Sequence, residues 1–330
     1  MSPAASRGTA ITGYGVSLPP RRVTNADLEA HLDTSDEWIT ERTGIRERRV
    51  AEPEAWPPLP DPASFPTGTL AAEAGAAALH HAGWRPADVD LLVLCTATPD
   101  RTLPATSADV AARLGLRCGA MDLNAACSGF VYGLVTASSL IGAGLDRILL
   151  IGAETLSRIV DWEDRGTAVI FGDGAGAVTL QAVPESQLLG WDLGCDGSLQ
   201  SILYCELGGA MQMEGQEVFR RAVRATVESA SAALERAKVG PEDIALFIPH
   251  QANVRILDAA GSRLGIPRER TAMVLDRSGN TSAASIPLAL ADAADAGRLR
   301  EGDLVLFSGF GAGMTWASAV WRWGLATPDQ

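Results

Sequence analysis

Apolar positions along the chain fall into short continuous runs, such as Leu91-Leu92-Val93-Leu94 and Ile148-Leu149-Leu150-Ile151, separated by stretches of helical spacing. One helical stretch places Val131, Leu134, Val135 and Leu140 on a common face, directly after the small residues around Cys127. Runs of this kind read as buried strands, and their alternation with helices predicts α/β layering. None of the runs is long enough to span a bilayer.

The pattern occurs twice. Arg85-Pro86-Ala87-Asp88, which leads into Leu91–Val93, is echoed by Gly240-Pro241-Glu242-Asp243, which leads into Leu246–Ile248. The segment around Cys127 is echoed around Asn280, and Leu145–Ala153 by Glu301–Gly309. Taking Asp88 with Asp243, Cys127 with Asn280 and Asp146 with Asp303, the spacings are 155, 153 and 157 residues. A near-constant offset in the same order predicts a duplicated unit, with halves at residues 1–184 and 185–330. On this reading Cys127 and Asn280 are equivalent positions facing each other across a pseudo-twofold axis, and His250 approaches the same axis. The tract Phe171-Gly172-Asp173-Gly174-Ala175-Gly176 lacks the Lys-Ser/Thr of a phosphate loop and is expected to serve close backbone packing. Pro53 to Pro66 contains six prolines and reads as an extended surface loop, or as a proline-rich docking segment.

Composition narrows the function. The 330 residues carry a net charge of −13, which argues against nucleic acid as a partner. The first residues lack a signal-peptide pattern, so a cytoplasmic protein with no membrane association is expected. The five cysteines, Cys95, Cys118, Cys127, Cys195 and Cys205, form no CxxC pair, so neither a metal site nor a disulfide framework is expected. Taken singly, each reads as a small buried hydrophobe. Cys127 differs in lying at a helix start, where the helix dipole favours a thiolate and free N–H groups suit an oxyanion. His250 follows a strand directly, where α/β proteins present site residues, although a structural histidine fits equally well. Asn280 reads either as a helix cap or as a site amide.

Together these segments resemble the β-ketoacyl-acyl carrier protein synthase III family. The resemblance rests on Thr34–Ile39 with Arg42–Arg46, the Cys127 segment, Asp164–Thr167 with the glycine tract, the His250 segment, Gly279–Ser285 and Phe310–Trp316. It implies a thiolase-like fold of two pseudo-symmetric α/β halves in an αβαβα arrangement. It also implies a homodimeric acyltransferase that loads an acyl group from acyl-coenzyme A onto Cys127. That group is then condensed with malonyl-acyl carrier protein, with loss of carbon dioxide, to start fatty acid or polyketide chains. No cofactor is implied beyond the coenzyme A thioester as substrate.

His250 and Asn280 are the implied donors to the enolate, and the backbone of Cys127 and Ala312 the implied oxyanion hole. Trp38, Arg165, Phe219 and Asn253 match positions that hold coenzyme A and its pantetheine arm. Arg220, Arg221 and Arg224 with Arg255 and Arg263 are candidates for docking an acidic carrier protein, or form a merely solvated helix face. Leu103 matches the region from which a partner gates the acyl pocket. Two other functions stay open: acyl transfer to a hydroxyl, amine or carrier protein without decarboxylation, and a non-catalytic partner subunit.

Overall fold

The computed structural model describes residues 7–51, 56–59, 62–64 and 66–326. Among the described residues, nine strands build the two large sheets. The first sheet contains β1 (Gly8–Ser17), β2 (Leu91–Cys95), β3 (Gly119–Leu123), β4 (Arg147–Thr155) and β5 (Asp173–Val183) in the order β1-β5-β4-β2-β3. The second contains β6 (Leu188–Cys195), β7 (Ile244–Pro249), β8 (Leu304–Gly311) and β9 (Thr315–Arg322) in the order β6-β9-β8-β7. The second order repeats the first without its last strand. In the first sheet β2 runs parallel to both β3 and β4, in the second β7 runs parallel to β8, and β4 and β8 each adjoin one antiparallel neighbour, β5 and β9. The chain crosses from one sheet to the other between Val183 and Leu188.

The longer helices among the described residues are α1 (Asp36–Thr43), α2 (Pro66–Ala82), α3 (Thr106–Leu114), α4 (Gly129–Gly142), α5 (Gly215–Ala237), α6 (Val254–Leu264) and α7 (Ser285–Asp295). Helix α2 covers the outer face of the first sheet and α5 that of the second. Helix α5 does so with one stripe, Val218, Ala222, Val223, Ala230, Ala233 and Leu234, recurring at three- and four-residue steps. Between the sheets lie α4 and α7, both largely apolar and buried. One core cluster runs through all the inner layers, joining Val93, Ile148 and Leu150 to Phe130 and Leu134 and on to Phe307, Ala317 and Trp321. The result is a thiolase-like αβαβα sandwich.

Small residues let these layers approach. A Cβ on Gly176 would stand 2.8 Å from the Pro287 ring on α7, and one on Gly152 would stand 2.4 Å from the Ala283 carbonyl. The glycine tract therefore packs the first sheet onto the middle helices. Part of the proline-rich segment, residues 53–55, 60–61 and 65, lies outside the described residues. Within it Trp56 is half-buried, stacked on His31 at 4.1 Å and edge-on to Trp162 at 5.5 Å, which anchors the segment to the body.

Candidate active site

Two turns of the same shape meet at the centre. In the first half the Asn124 side-chain oxygen accepts the Ala126 N–H at 3.0 Å, Ala126 takes φ 47°, and one turn Ala126–Ser128 leads into α4. In the second half the Asn280 side-chain oxygen accepts the Ser282 N–H at 2.9 Å, Ser282 takes φ 47°, and one turn Ser282–Ala284 leads into α7. The equivalent positions are thus Asn124 with Asn280 and Cys127 with Ala283. This corrects the sequence pairing of Cys127 with Asn280 by three residues. The repeating unit is the asparagine turn before each helix, three residues out of step with the pairing of Cys127 and Asn280.

Although not equivalent, Cys127, His250 and Asn280 do converge. All three line one cavity of ≈620 Å³, together with Trp38, Arg165, Phe219 and Asn253. A second chamber of ≈460 Å³ also reaches Cys127 and continues past Ala97, Leu156, Ile159, Met211 and Ala312. The thiol stands where the two chambers meet.

His250 is 1% exposed and follows β7, its N–H donating to the Ser308 carbonyl at 2.7 Å. The ring meets Phe310 edge-on at 5.3 Å, and Nδ1 lies 2.7 Å from Ser285 Oγ. Ser285 Oγ already accepts the Gln251 N–H at 3.3 Å. Donation from Ser285 to Nδ1 puts the ring hydrogen on Nε2, the nitrogen left for the cavity. Burial pushes the imidazole pKa down to about 3, so the ring is neutral at physiological pH. Asn280 is 5% exposed, with its backbone tied to Ile170 and Gly172 at 2.9 and 3.0 Å. Because its oxygen is taken by Ser282, its NH₂ group is the free donor.

The expected thiolate at Cys127 is not what the surroundings favour at rest. Burial raises the thiol to about 12, opposed by a hydrogen bond with Ser282 and reinforced by the charge of Glu154. Desolvation outweighs the dipole of α4. Beside the thiol, Gly311 comes so close that a Cβ there would stand 2.6 Å from the Cys127 nitrogen. Ala312 lines the second chamber and is not among the non-glycine residues with positive φ, so its backbone bears an alanine without strain.

At the cavity mouth the guanidinium groups of Arg42 and Arg165 lie over the Trp38 ring at 4.8 and 5.1 Å. Arg165 also donates to the Asp33 carbonyl at 2.8 Å. Asn253 caps α6, accepting the Arg255 N–H at 2.8 Å and donating to the Arg42 carbonyl at 2.9 Å. Phe219 lies under Arg255 at 5.6 Å. The arginine patch is not gathered as expected. Arg220 and Arg255 line the cavity, Arg221 and Arg224 line a separate cleft, and Arg263 is exposed near the far end of α6. On α5 the charges are offset within the helix, Arg220 and Arg221 by Glu217 and Arg224 by Glu228. Leu103, 84% exposed on the loop before α3, does not line this chain's own chambers.

Sequence reading assigned no role to Ser282, Ser285 or Glu154. The serines were visible only as part of the motif around Asn280. Glu154 had a signal of its own, an acidic residue at the end of the apolar run Ile148–Ala153.

Residues 121–197 match the family model described as 3-oxoacyl-[acyl-carrier-protein (ACP)] synthase III, and residues 234–323 match its C-terminal counterpart. The β-ketoacyl-[acyl-carrier-protein] synthase III of Roseiflexus sp. (strain RS-1) is 46% identical over 95% of this chain and 98% of its own. The crystal structure of 3-oxoacyl-[acyl-carrier-protein] synthase III from Aquifex aeolicus VF5 superposes with a TM-score of 0.90 at 44% identity, covering 96% of this chain and 100% of that one. The priming β-ketosynthase from the R1128 polyketide biosynthetic pathway does so at 0.89 and 33% identity, covering 98% of each. Fold and matches together define a thiolase-fold condensing enzyme of the transferase class. More narrowly, the chain belongs to the β-ketoacyl-acyl carrier protein synthase III family.

Proposed function

We propose that this enzyme is an acyltransferase that starts fatty acid or polyketide chains, with Cys127 as its nucleophile. The sulfur attacks the carbonyl of an acyl-coenzyme A, and free coenzyme A leaves. Malonyl-acyl carrier protein then loses carbon dioxide, and the resulting enolate attacks the Cys127 thioester to give a 3-oxoacyl-carrier protein and the free cysteine. His250 Nε2–H and the Asn280 NH₂ group donate to the enolate oxygen. The observation that carries this reading is the convergence of a thiol, a neutral imidazole and an oriented amide on one cavity. The backbone of Cys127 and Ala312 serves as the oxyanion hole for the acyl-enzyme.

Trp38 and Arg165 receive the nucleotide end of coenzyme A, and Phe219 and Asn253 line the path of its arm. Arg220 and Arg255 at the mouth are the favoured contacts for an acidic carrier protein, with Arg224 and Arg263 peripheral. The acyl chain occupies the second chamber. We place the enzyme in the cytoplasm beside these substrates, working without a cofactor. We further propose a homodimer. Strand β3 has no partner on its outer edge among the described residues, and Leu103 projects nearby, suited to close the partner's acyl chamber.

The test is to incubate the protein with a panel of acyl-coenzyme A donors and malonyl-acyl carrier protein. Acylation of Cys127 and release of carbon dioxide are followed together. Acylation without carbon dioxide release from any donor leaves only acyl transfer. Light scattering checks the dimer.

A further inference from the structure

Arg48 lies wholly buried on the short strand Glu47–Val50, and no step above uses it. Its Nη1 donates to the Val23 carbonyl at 3.1 Å and to Asn25 Oδ1 at 2.9 Å, and its Nη2 to the Val169 carbonyl at 2.7 Å. Nε has no partner. All three acceptors are neutral oxygens. The nearest acids are engaged elsewhere, Glu47 with Arg22 and Arg49, and Asp27 with Thr24. Burial pulls the guanidinium pKa down to about 10, which leaves it charged at neutrality. A buried cation of this kind costs stability against a packed apolar side chain, which points to a role besides packing.

The role is read from what surrounds it. Backbone bonds to Ile170 and Gly172 tie Asn280 to the segment 169–172, beside the carbonyl that Arg48 grips. The arginine stem lies against the same joint. A Cβ on Gly172 would stand 3.1 Å from the Arg48 Cβ, and one on Gly279 would stand 2.9 Å from it. On the other side Asn25 carries the link to α1, donating to Asp36 Oδ1 at 2.7 Å and to the Ile45 carbonyl at 2.8 Å. The planar guanidinium thus bridges two segments far apart in sequence, a two-directional reach that a lysine ammonium does not reproduce. The other site groups are anchored elsewhere. The Cys127 turn is closed by Asn124 and backed by Gly311, and His250 is fixed by Ser308 and Ser285.

We propose that Arg48 is a positioning residue for Asn280: by gripping the Val169 carbonyl it fixes the segment to which the Asn280 backbone is bonded, and so holds the amide donor where the enolate oxygen forms. Of the two chemical steps it serves decarboxylation and leaves the loading of Cys127 alone. The inference rests on the condensation reading above.

The experiment follows acyl loading of Cys127 and carbon dioxide release separately in wild type, Arg48→Lys, Asn280→Ala and the double variant. Arg48→Lys is expected to slow carbon dioxide release about tenfold, a loss that a small misplacement of the donor suffices to cause, and to change loading by about twofold or less. In the Asn280→Ala background the same substitution is expected to cost about twofold or less, because the group it positions is gone. A merely structural arginine would lower both steps together, through the amount of folded protein. An equal fall in both steps, unchanged carbon dioxide release, or the same loss in both backgrounds overturns the proposal. Should Arg48→Lys not fold, Asn25→Ala removes one of the three acceptors and leaves the arginine in place. About a threefold loss confined to carbon dioxide release is then expected, and no loss or an equal loss in both steps overturns the proposal. A wild-type protein that loads no acyl group, or releases no carbon dioxide, defeats the condensation reading itself. That result is distinct from normal turnover left untouched by Arg48→Lys.

Discussion

The turn Asn124–Ser128 and the turn Asn280–Ala284 share a backbone, down to the asparagine cap and the left-handed residue two places on. Their contents have separated. The first half carries a thiol where the second carries Ala283, buried against Gly129 and Gly152. The second half buries its asparagine in the cavity beside His250, whereas Asn124 is exposed at the second chamber. One scaffold thus presents a nucleophile from one side and hydrogen-bond donors from the other. A left-handed alanine or serine costs about 1–2 kcal/mol. The same cost is borne in both halves, so the turn geometry is tied to the layer packing rather than to the thiol alone.

The sharpest way to break this division is to remove each half's contribution in turn. Cys127→Ala is expected to abolish the acyl-enzyme and lower condensation by on the order of 10⁴-fold or more, read by intact-protein mass and carbon dioxide release. Asn280→Ala is expected to slow decarboxylation by about 10²–10³-fold while acyl loading continues. If loading falls equally, the donors are not confined to the second half. Gly152→Ala drives a methyl into the Ala283 carbonyl, and a loss of about 1–3 kcal/mol should appear as an earlier denaturant midpoint.

His250 supplies a test by pH. Its folded pKa is depressed to about 3, so between there and the ordinary value near 6.5 the unfolded chain binds the extra proton. Its contribution to stability is complete above that ordinary value and is lost as pH falls toward 3. Thermal melts of wild type against His250→Asn across this range should therefore converge at low pH. The smallest effect is expected of Asn124→Ala, about threefold or less in either chemical step. A loss matching that of Asn280→Ala would mean that the two turns had never divided their roles.

Much of this was legible in the sequence because strand periodicity and duplication survive as local patterns. The Pro-started turns recur in the structure with the same carboxylate bond, Asp88 to the Arg85 N–H and Asp243 to the Gly240 N–H, each at 2.8 Å. Cys127 and His250 stood out because each follows a strand; Asn280, grouped with Cys127 by the duplication, follows the short helix Leu275–Ser278 instead. The register of the two turns was not legible, since it depends on a backbone angle at Ala126 and Ser282 that neither residue type announces. The state of the thiol was missed for a different reason. A helix start is a local feature, but the burial and the Glu154 charge that oppose it come from distant elements. The arginines illustrate a third limit, because a helix can carry the acids that neutralise its own basic face.

The middle layer bears on how the molecule comes apart. Helix α4 belongs by sequence to the first half, yet its side chains join a core that also holds Phe307 and Trp321 of the second. Helix α7 in turn packs on β5 of the first half. Cut between residues 184 and 185, neither fragment could cover its own share of that layer. The two pieces should stay unfolded apart and regain a native spectrum only when mixed. The two halves should therefore melt as one cooperative unit, a single transition by calorimetry, although they are written as two.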